Sequence, residues 1–293
     1  MAQTQCIIIL SERSSGSSAL QNYLVKFAGA QHAITHRHFE NETLYWTKAA
    51  SVLGLPQLKM VDSRVPFGPQ EAKQDLLNLL YENLPNFQPP ADDLNLIMEG
   101  WRQLAWHYAP LFVEKSPHHL CEWSALELIL RAQQELDDLD FLVIGLVRNP
   151  LDTIYSHYQR WKSIPARVEK QWIRSYRNLL RFQEALPEHT VILRYEDMVS
   201  RPEALAPILR FCGVSSNIEA QTYFHSRSVQ KWKTDRFFGF ALSDECHQLA
   251  LRYGYQPEEL QSNRNALAPV YHTLLHAAYH MARIVRPLKV EQS

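Results

Sequence analysis

A chain of 293 residues, 46% of them hydrophobic, is long enough to bury a sizeable core in one large domain or two small ones. With 30 Lys and Arg against 31 Asp and Glu the formal charge is -1, which excludes an overall basic field for nucleic acid or an anionic membrane. Any anion site must therefore be local.

In chain order, the apolar run Cys6–Leu10 predicts a buried strand, and Ser17–Ala28 predicts a helix opened by serine. Helical spacing returns at Glu71–Leu84, and the proline-rich stretch Asn86–Ala91 reads as a loop. Three further strands are predicted at Leu111–Val113, Phe141–Val147 and Val191–Leu193, with helices at Cys121–Leu136, Leu151–Trp161 and Pro202–Cys212 between and after them. Strands alternating with helices imply right-handed crossovers and a mainly parallel sheet. The expected fold class is α/β: a single domain over residues 1–293, its central sheet flanked by helices, with a helical C-terminal region from about residue 243. Cys6, Cys121, Cys212 and Cys246 show no CxxC spacing, which favours reduced thiols. With no secretory pattern ahead of the first strand and no run of about 20 apolar residues, the expectation is a cytoplasmic protein without a membrane span.

In a parallel sheet, ligands bind beyond the carboxyl ends of the strands. After the first strand stands Ser11-Glu12-Arg13-Ser14-Ser15-Gly16-Ser17-Ser18. Gly16 can adopt a backbone conformation closed to other residues, Ser17 and Ser18 can cap the next helix, and the helix N-terminus favours negative charge. An ordinary strand-to-helix turn reads the same way. A second segment narrows the choice: the strand ending at Val147 runs into Arg148, Asn149 and Pro150, then a helix carrying Ser156. That interval lets Arg148 and Ser156 converge on one anion.

These segments resemble the two signature regions of the sulfotransferases that use 3′-phosphoadenosine 5′-phosphosulfate (PAPS) as donor. The resemblance implies the P-loop-like sulfotransferase fold, a first loop (Arg13 to Ser18) that cradles the 5′-phosphosulfate, and Arg148 and Ser156 on the 3′-phosphate. It implies that Lys115, in Val113-Glu114-Lys115-Ser116-Pro117, reaches the transferring sulfonate, and that Tyr195, in Arg194-Tyr195-Glu196-Asp197, contacts adenine. Lys231, Trp232 and Lys233 are similar to the basic, tryptophan-containing stretch that closes over the nucleotide. The matches run from about residue 6 to 233 in the family's order. One position departs: relatives usually carry Lys or Arg two residues before the loop glycine, where this chain has Ser14, its basic residue being Arg13.

A kinase loop would need a lysine and a magnesium-binding acid to neutralise a triphosphate; here Ser17 stands in the lysine's place and Arg148 follows the strand. A transferring sulfonate carries less charge and needs no metal. The reaction implied is in-line displacement, with a hydroxyl or amine attacking sulfur and 3′,5′-ADP leaving. The rival functions are a kinase and an inactive nucleotide-binding or scaffold protein of the same fold, the latter suggested by the shifted Arg13. As general base, Glu40 and Glu42 come first by position, where many relatives place a glutamate, and His118 next. Each could equally belong to a solvated turn. His36 with His38, His118 with His119, and His272, His276 and His280 at helical spacing invite a metal reading, yet no clustered acid accompanies them and a packed helix face is preferred. Tyr45, Trp46, Phe67, Trp101, Trp106 and Tyr108 precede Lys115 and suit either an aromatic acceptor pocket or the core. The acceptor expected is a small molecule or a glycan or lipid-like alcohol, and no nucleic acid.

Overall fold

A computed structural model of the chain describes residues 3–35, 39–61, 63, 65, 67–214, 223–262 and 265–285. His36 and His38 lie outside the described residues. Its contacts gather into two compact units, one of residues 1–148 and 174–226, the other of residues 149–173 and 227–293.

The first unit holds a four-stranded sheet: β1 (Thr4–Ser11), β2 (Leu111–Lys115), β3 (Leu139–Val147) and β4 (Thr190–Arg194), ordered β2-β1-β3-β4 and parallel throughout. Cys6 to Leu10 of central β1 are wholly buried, which is why that strand reads as a continuous apolar run with no alternation. Each such Ile or Leu stabilises the fold by about 1.5–3 kcal/mol relative to exposure. All five residues of β2 are buried, including Glu114 and Lys115.

Around this sheet stand α1 (Ser17–Ala28), α2 (Tyr45–Val52), α3 (Pro69–Asn83), α4 (Asp93–His107), the single turn α5 (His118–Cys121) and α6 (Trp123–Glu135). α1 starts at Gly16 and stops at Gly29, both left-handed. Asp92 caps α4 by accepting from the Asn95 N–H. All eight residues of α2 are buried, Tyr45, Trp46 and Trp101 pack edge-on or tilted against one another in the core, and Trp106 is exposed. The aromatic residues before Lys115 are thus mostly core.

The remaining helices are α7 (Pro150–Trp161), α8 (Pro165–Ala185), α9 (Tyr195–Ser200), α10 (Ala206–Phe211), α11 (Asp244–Arg252) and α12 (Ala268–Val285). α7, α11 and α12 belong to the second unit, α9 and α10 to the first, and α8 runs from one into the other. The predicted helix Pro202–Cys212 is instead a 3-10 turn, Pro202–Leu205, followed by α10. Pro207 explains the break, because it has no N–H for a continuous helical ladder. All four cysteines are free thiols.

Candidate active site

Every strand of the parallel sheet ends at a candidate residue. β1 runs into the Glu12 to Gly16 loop, β2 ends on Lys115, β3 is followed by Arg148 and β4 by Tyr195. Register aligns these ends, with Ile9 opposite Lys115, Ser11 opposite Leu146 and Val147 opposite Arg194. Chain order reverses direction at β1, whose neighbours are the later β2 and β3, so its carboxyl end is the expected crevice.

The loop is held from beneath by a ring, a phenol, a guanidinium and a buried carboxylate. Gly16 has φ 91°, and a Cβ there would stand 2.6 Å from the Tyr195 ring, so both the backbone angle and the close approach demand glycine. The Arg148 guanidinium lies 4.6 Å from the centre of the same ring and donates to the Ser14 carbonyl at 2.6 Å. Ser14 has φ 62°, and its buried hydroxyl has no hydrogen-bond partner among the described residues. Tyr176 has one hydroxyl proton, which it donates to the Leu146 carbonyl at 3.1 Å; at 3.2 Å it therefore accepts from Ser15. Ser15 is left with its backbone N–H for an anion. The buried Glu12 carboxylate takes the Ser175 hydroxyl at 2.8 Å and the Arg13 N–H at 3.0 Å. No side chain caps the start of α1 in the structure, so its first N–H groups are available to an anion.

The end of β2 is held by charge instead. Buried Lys115 donates to Glu42 at 3.2 Å and lies 3.8 Å from Glu40, whose other contact is the hydroxyl of Ser18. His118 Nδ1 stands 4.0 Å from Glu42, and its Nε2 meets the Ser63 hydroxyl at 2.9 Å. Arg13 donates to the Val61 carbonyl at 3.0 Å and contributes positive charge near Glu42. Burial, the largest influence on Glu42, raises its pKa; Lys115 and Arg13 lower it and Glu40 raises it, and the net result lies above the usual carboxylate range.

The turn that carries these glutamates is strained. Glu40, Asn41 and Leu44 all have left-handed φ, at 55°, 59° and 54°. Such residues cost of order 1–3 kcal/mol each and persist where the surroundings over-determine them. Here a buried network does so: Glu114 accepts from Thr43 and from Ser116 at 2.6 Å, and the Ser116 hydroxyl accepts the Leu44 N–H at 2.9 Å. Burial would raise Glu114, but the charge of His119, 3.3 Å away, and the hydroxyl donors outweigh it and hold the carboxyl below its ordinary value. His119 Nε2 faces the second Glu114 oxygen, and its other nitrogen meets Thr47 at 3.0 Å. His118 and His119 thus face different partners. His272 packs against Tyr158 at 4.9 Å, His276 reaches the Lys162 carbonyl at 2.9 Å, and no group of metal-ligating residues occurs among the described residues.

The loop, Lys115, both glutamates, His118, Arg148 and Tyr195 therefore share the first unit, whereas Ser156 on α7 and Lys231, Trp232 and Lys233 belong to the second. There, Trp232, Lys233 and Arg236 line a cavity of about 410 Å³ with Phe238 and Glu258.

The sulfotransferase family profile matches residues 6–217, nearly three quarters of the chain, and so takes in all of the sheet but the first two residues of β1, and every first-unit candidate. The chain belongs to the sulfotransferase family. Two solved structures share its fold: the sulfotransferase domain from the curacin biosynthetic pathway, at 20% identity and TM-score 0.57, with 87% of this chain and 99% of that one covered, and the sulfotransferase domain from the Synechococcus PCC 7002 olefin synthase, at 21% and 0.58, with 87% and 96% covered. No curated protein matches. For a sulfotransferase-family chain the α/β, P-loop-like architecture is thereby established, while Lys231 to Lys233 lie beyond the matched stretch. Sequence reasoning missed Glu12, Ser175, Tyr176 and the Glu114, Thr43, Ser116 network. One signal was available, because an acid inside a strand buried on both faces needs partners.

Proposed function

We propose that the protein transfers the sulfuryl group of PAPS to a hydroxyl or amine of an acceptor. The observation that carries the proposal is the convergence of Lys115, Glu42 and His118 beside an uncapped helix N-terminus, in a chain of the sulfotransferase family. The loop residues fit an anionic donor: α1 offers N–H groups that no side chain caps, and the orphaned Ser14 hydroxyl is a further polar group for the donor's oxygens.

In the proposed reaction the acceptor oxygen or nitrogen forms a bond to sulfur while the bond from sulfur to the bridging oxygen breaks. The electron pair stays on the leaving 3′,5′-ADP. Lys115 neutralises the charge growing on that oxygen, and Glu42 takes the acceptor's proton; its raised pKa makes it a better base than an ordinary carboxylate. His118, anchored by Ser63, flanks Glu42 as the alternative base. Arg148 and Ser156 are assigned to the 3′-phosphate, Tyr195 to the adenine side, and Lys231, Trp232 and Lys233 to closure over the nucleotide. Of the two sulfotransferase domains of similar fold, one is from the curacin biosynthetic pathway and the other from an olefin synthase, which favours a small-molecule acceptor here.

Incubation with PAPS and a panel of alcohols, phenols, sugars and amines, read by mass spectrometry for sulfated product and for 3′,5′-ADP, tests the proposal. Production of both in equal amounts supports it. Intact PAPS with every acceptor, together with measurable PAPS binding, would favour the inactive nucleotide-binding protein.

A further inference from the structure

The second unit carries an apolar face that the proposed reaction does not use. α12 buries Ala268 and His272 against its own unit and turns Val270, Tyr271, Leu274 and Met281 outward, with Leu267 just before them. The spacing follows one helix face. Phe237 continues the stripe, its ring centroid 6.0 Å from that of Tyr271, and these six side chains are 42–74% exposed. Monomers rarely expose apolar patches of more than a few hundred Å² without using them.

Phe237 is held outward by a built turn. One oxygen of Asp235 accepts the N–H groups of Phe237 and Phe238 at 2.9 and 3.2 Å, and the other accepts from Tyr155 and Gln159 at 3.2 and 3.1 Å. That anchorage sends Phe238 inward, 1% exposed, and leaves its neighbour 67% exposed.

Charge decides what this face suits. Lys231, Lys233 and Arg236 are exposed on the segment that carries Phe237. From Leu260 to Val290 the sequence contains Arg264, Arg283, Arg286 and Lys289 and neither Asp nor Glu. The net charge of -1 thus conceals a basic C-terminal stretch. Asp235 and Glu258 line one cavity with Lys233 and Arg236, and the exposed cations of this segment outnumber them; an anionic lipid surface supplies negative charge without positional matching and accepts aliphatic and aromatic side chains at headgroup depth. Among the described residues no helix is long and apolar enough to cross a membrane, so the contact is interfacial.

We propose that Phe237 and the outer stripe of α12 form a docking face for an anionic lipid surface. The proposal does not depend on the sulfuryl-transfer reading. Flotation of the full chain with phosphatidylcholine vesicles, with and without phosphatidylserine, tests it. The expected result is co-flotation only with phosphatidylserine present, reversed by high salt. Phe237→Ser combined with Leu274→Ser should weaken that partition by roughly tenfold or more without shifting the melting temperature. Three results would overturn it: no flotation with either vesicle, flotation of the double variant equal to that of the parent, or sedimentation of the lipid-free chain as a dimer that the same substitutions dissociate. Should the double variant fail to fold, the lipid and salt dependence of the unaltered chain decides alone.

Discussion

The loop after β1 and the end of β2 sit on adjacent strands of one sheet, yet they are positioned by different forces. Packing and hydrogen bonds to uncharged groups fix the loop: a ring under Gly16, a phenol under Ser15, a guanidinium on a carbonyl, and the buried Glu12 carboxylate on a hydroxyl and an N–H. Ionic contacts fix the strand end, where Lys115 faces two carboxylates and Glu114 faces His119. The strand end should therefore respond to protonation of Glu42 and Glu114, the two carboxyls whose pKa values are displaced there. Positioning backbone N–H groups needs rigidity, while neutralising a leaving group and removing a proton need charges with displaced pKa values.

Breaking the ionic side at its centre should have the largest effect. Lys115→Ala is expected to lower sulfuryl transfer by on the order of 10²–10³, with the affinity for 3′,5′-ADP nearly unchanged, since that product lacks the sulfonate. Single-turnover kinetics beside calorimetry measures both. Equal collapse of affinity would assign Lys115 to ground-state binding.

Glu42→Gln should follow, with a loss of about 10²-fold and disappearance of the acidic limb of the rate profile. Because burial raises the Glu42 pKa, that limb should lie above the range of an ordinary carboxylate. If the limb persists and His118→Ala abolishes it, histidine is the base.

In the loop, Gly16→Ala places a Cβ 2.6 Å from the Tyr195 ring at a φ that disfavours alanine. We expect nucleotide binding weakened by about tenfold and a stability loss of about 1–3 kcal/mol. Unchanged nucleotide affinity would mean that the loop does not hold the nucleotide.

The smallest effect concerns stability. Glu114 has a folded pKa below its unfolded value, so its contribution is present above the unfolded pKa and lost as pH falls through the folded one. The melting-temperature deficit of Glu114→Gln should therefore be greatest near neutral pH and shrink as the solution becomes more acidic than an ordinary carboxylate pKa. A deficit that grows in acid would contradict the assigned direction. Glu42 has the opposite sign: the stability of its protonated form fades as pH rises through its raised folded pKa.

Much of the sheet was legible because parallel strands buried on both faces read as plain apolar runs, and β1 and β3 hold the longest such runs. α2 was not, since a helix buried on every side has no amphipathic period. α8 was omitted although Val168, Trp172, Tyr176, Leu179 and Phe182 recur at helical spacing and are all buried. In the site, Gly16, Lys115 and Arg148 were readable from strand ends. Glu114, Ser116 and Thr43 were not, because their role is to hold a strained turn brought to β2 from elsewhere in the chain. Such a role has no local signature.

Calorimetric titration of the full chain with 3′,5′-ADP and with ADP, both without magnesium, tests most directly whether the cradle beyond these strands is built for the product of sulfuryl transfer. Sulfuryl transfer from PAPS predicts distinctly tighter binding of 3′,5′-ADP, with the preference removed by Arg148→Ala; equal affinity for the two nucleotides in the unaltered chain would contradict it.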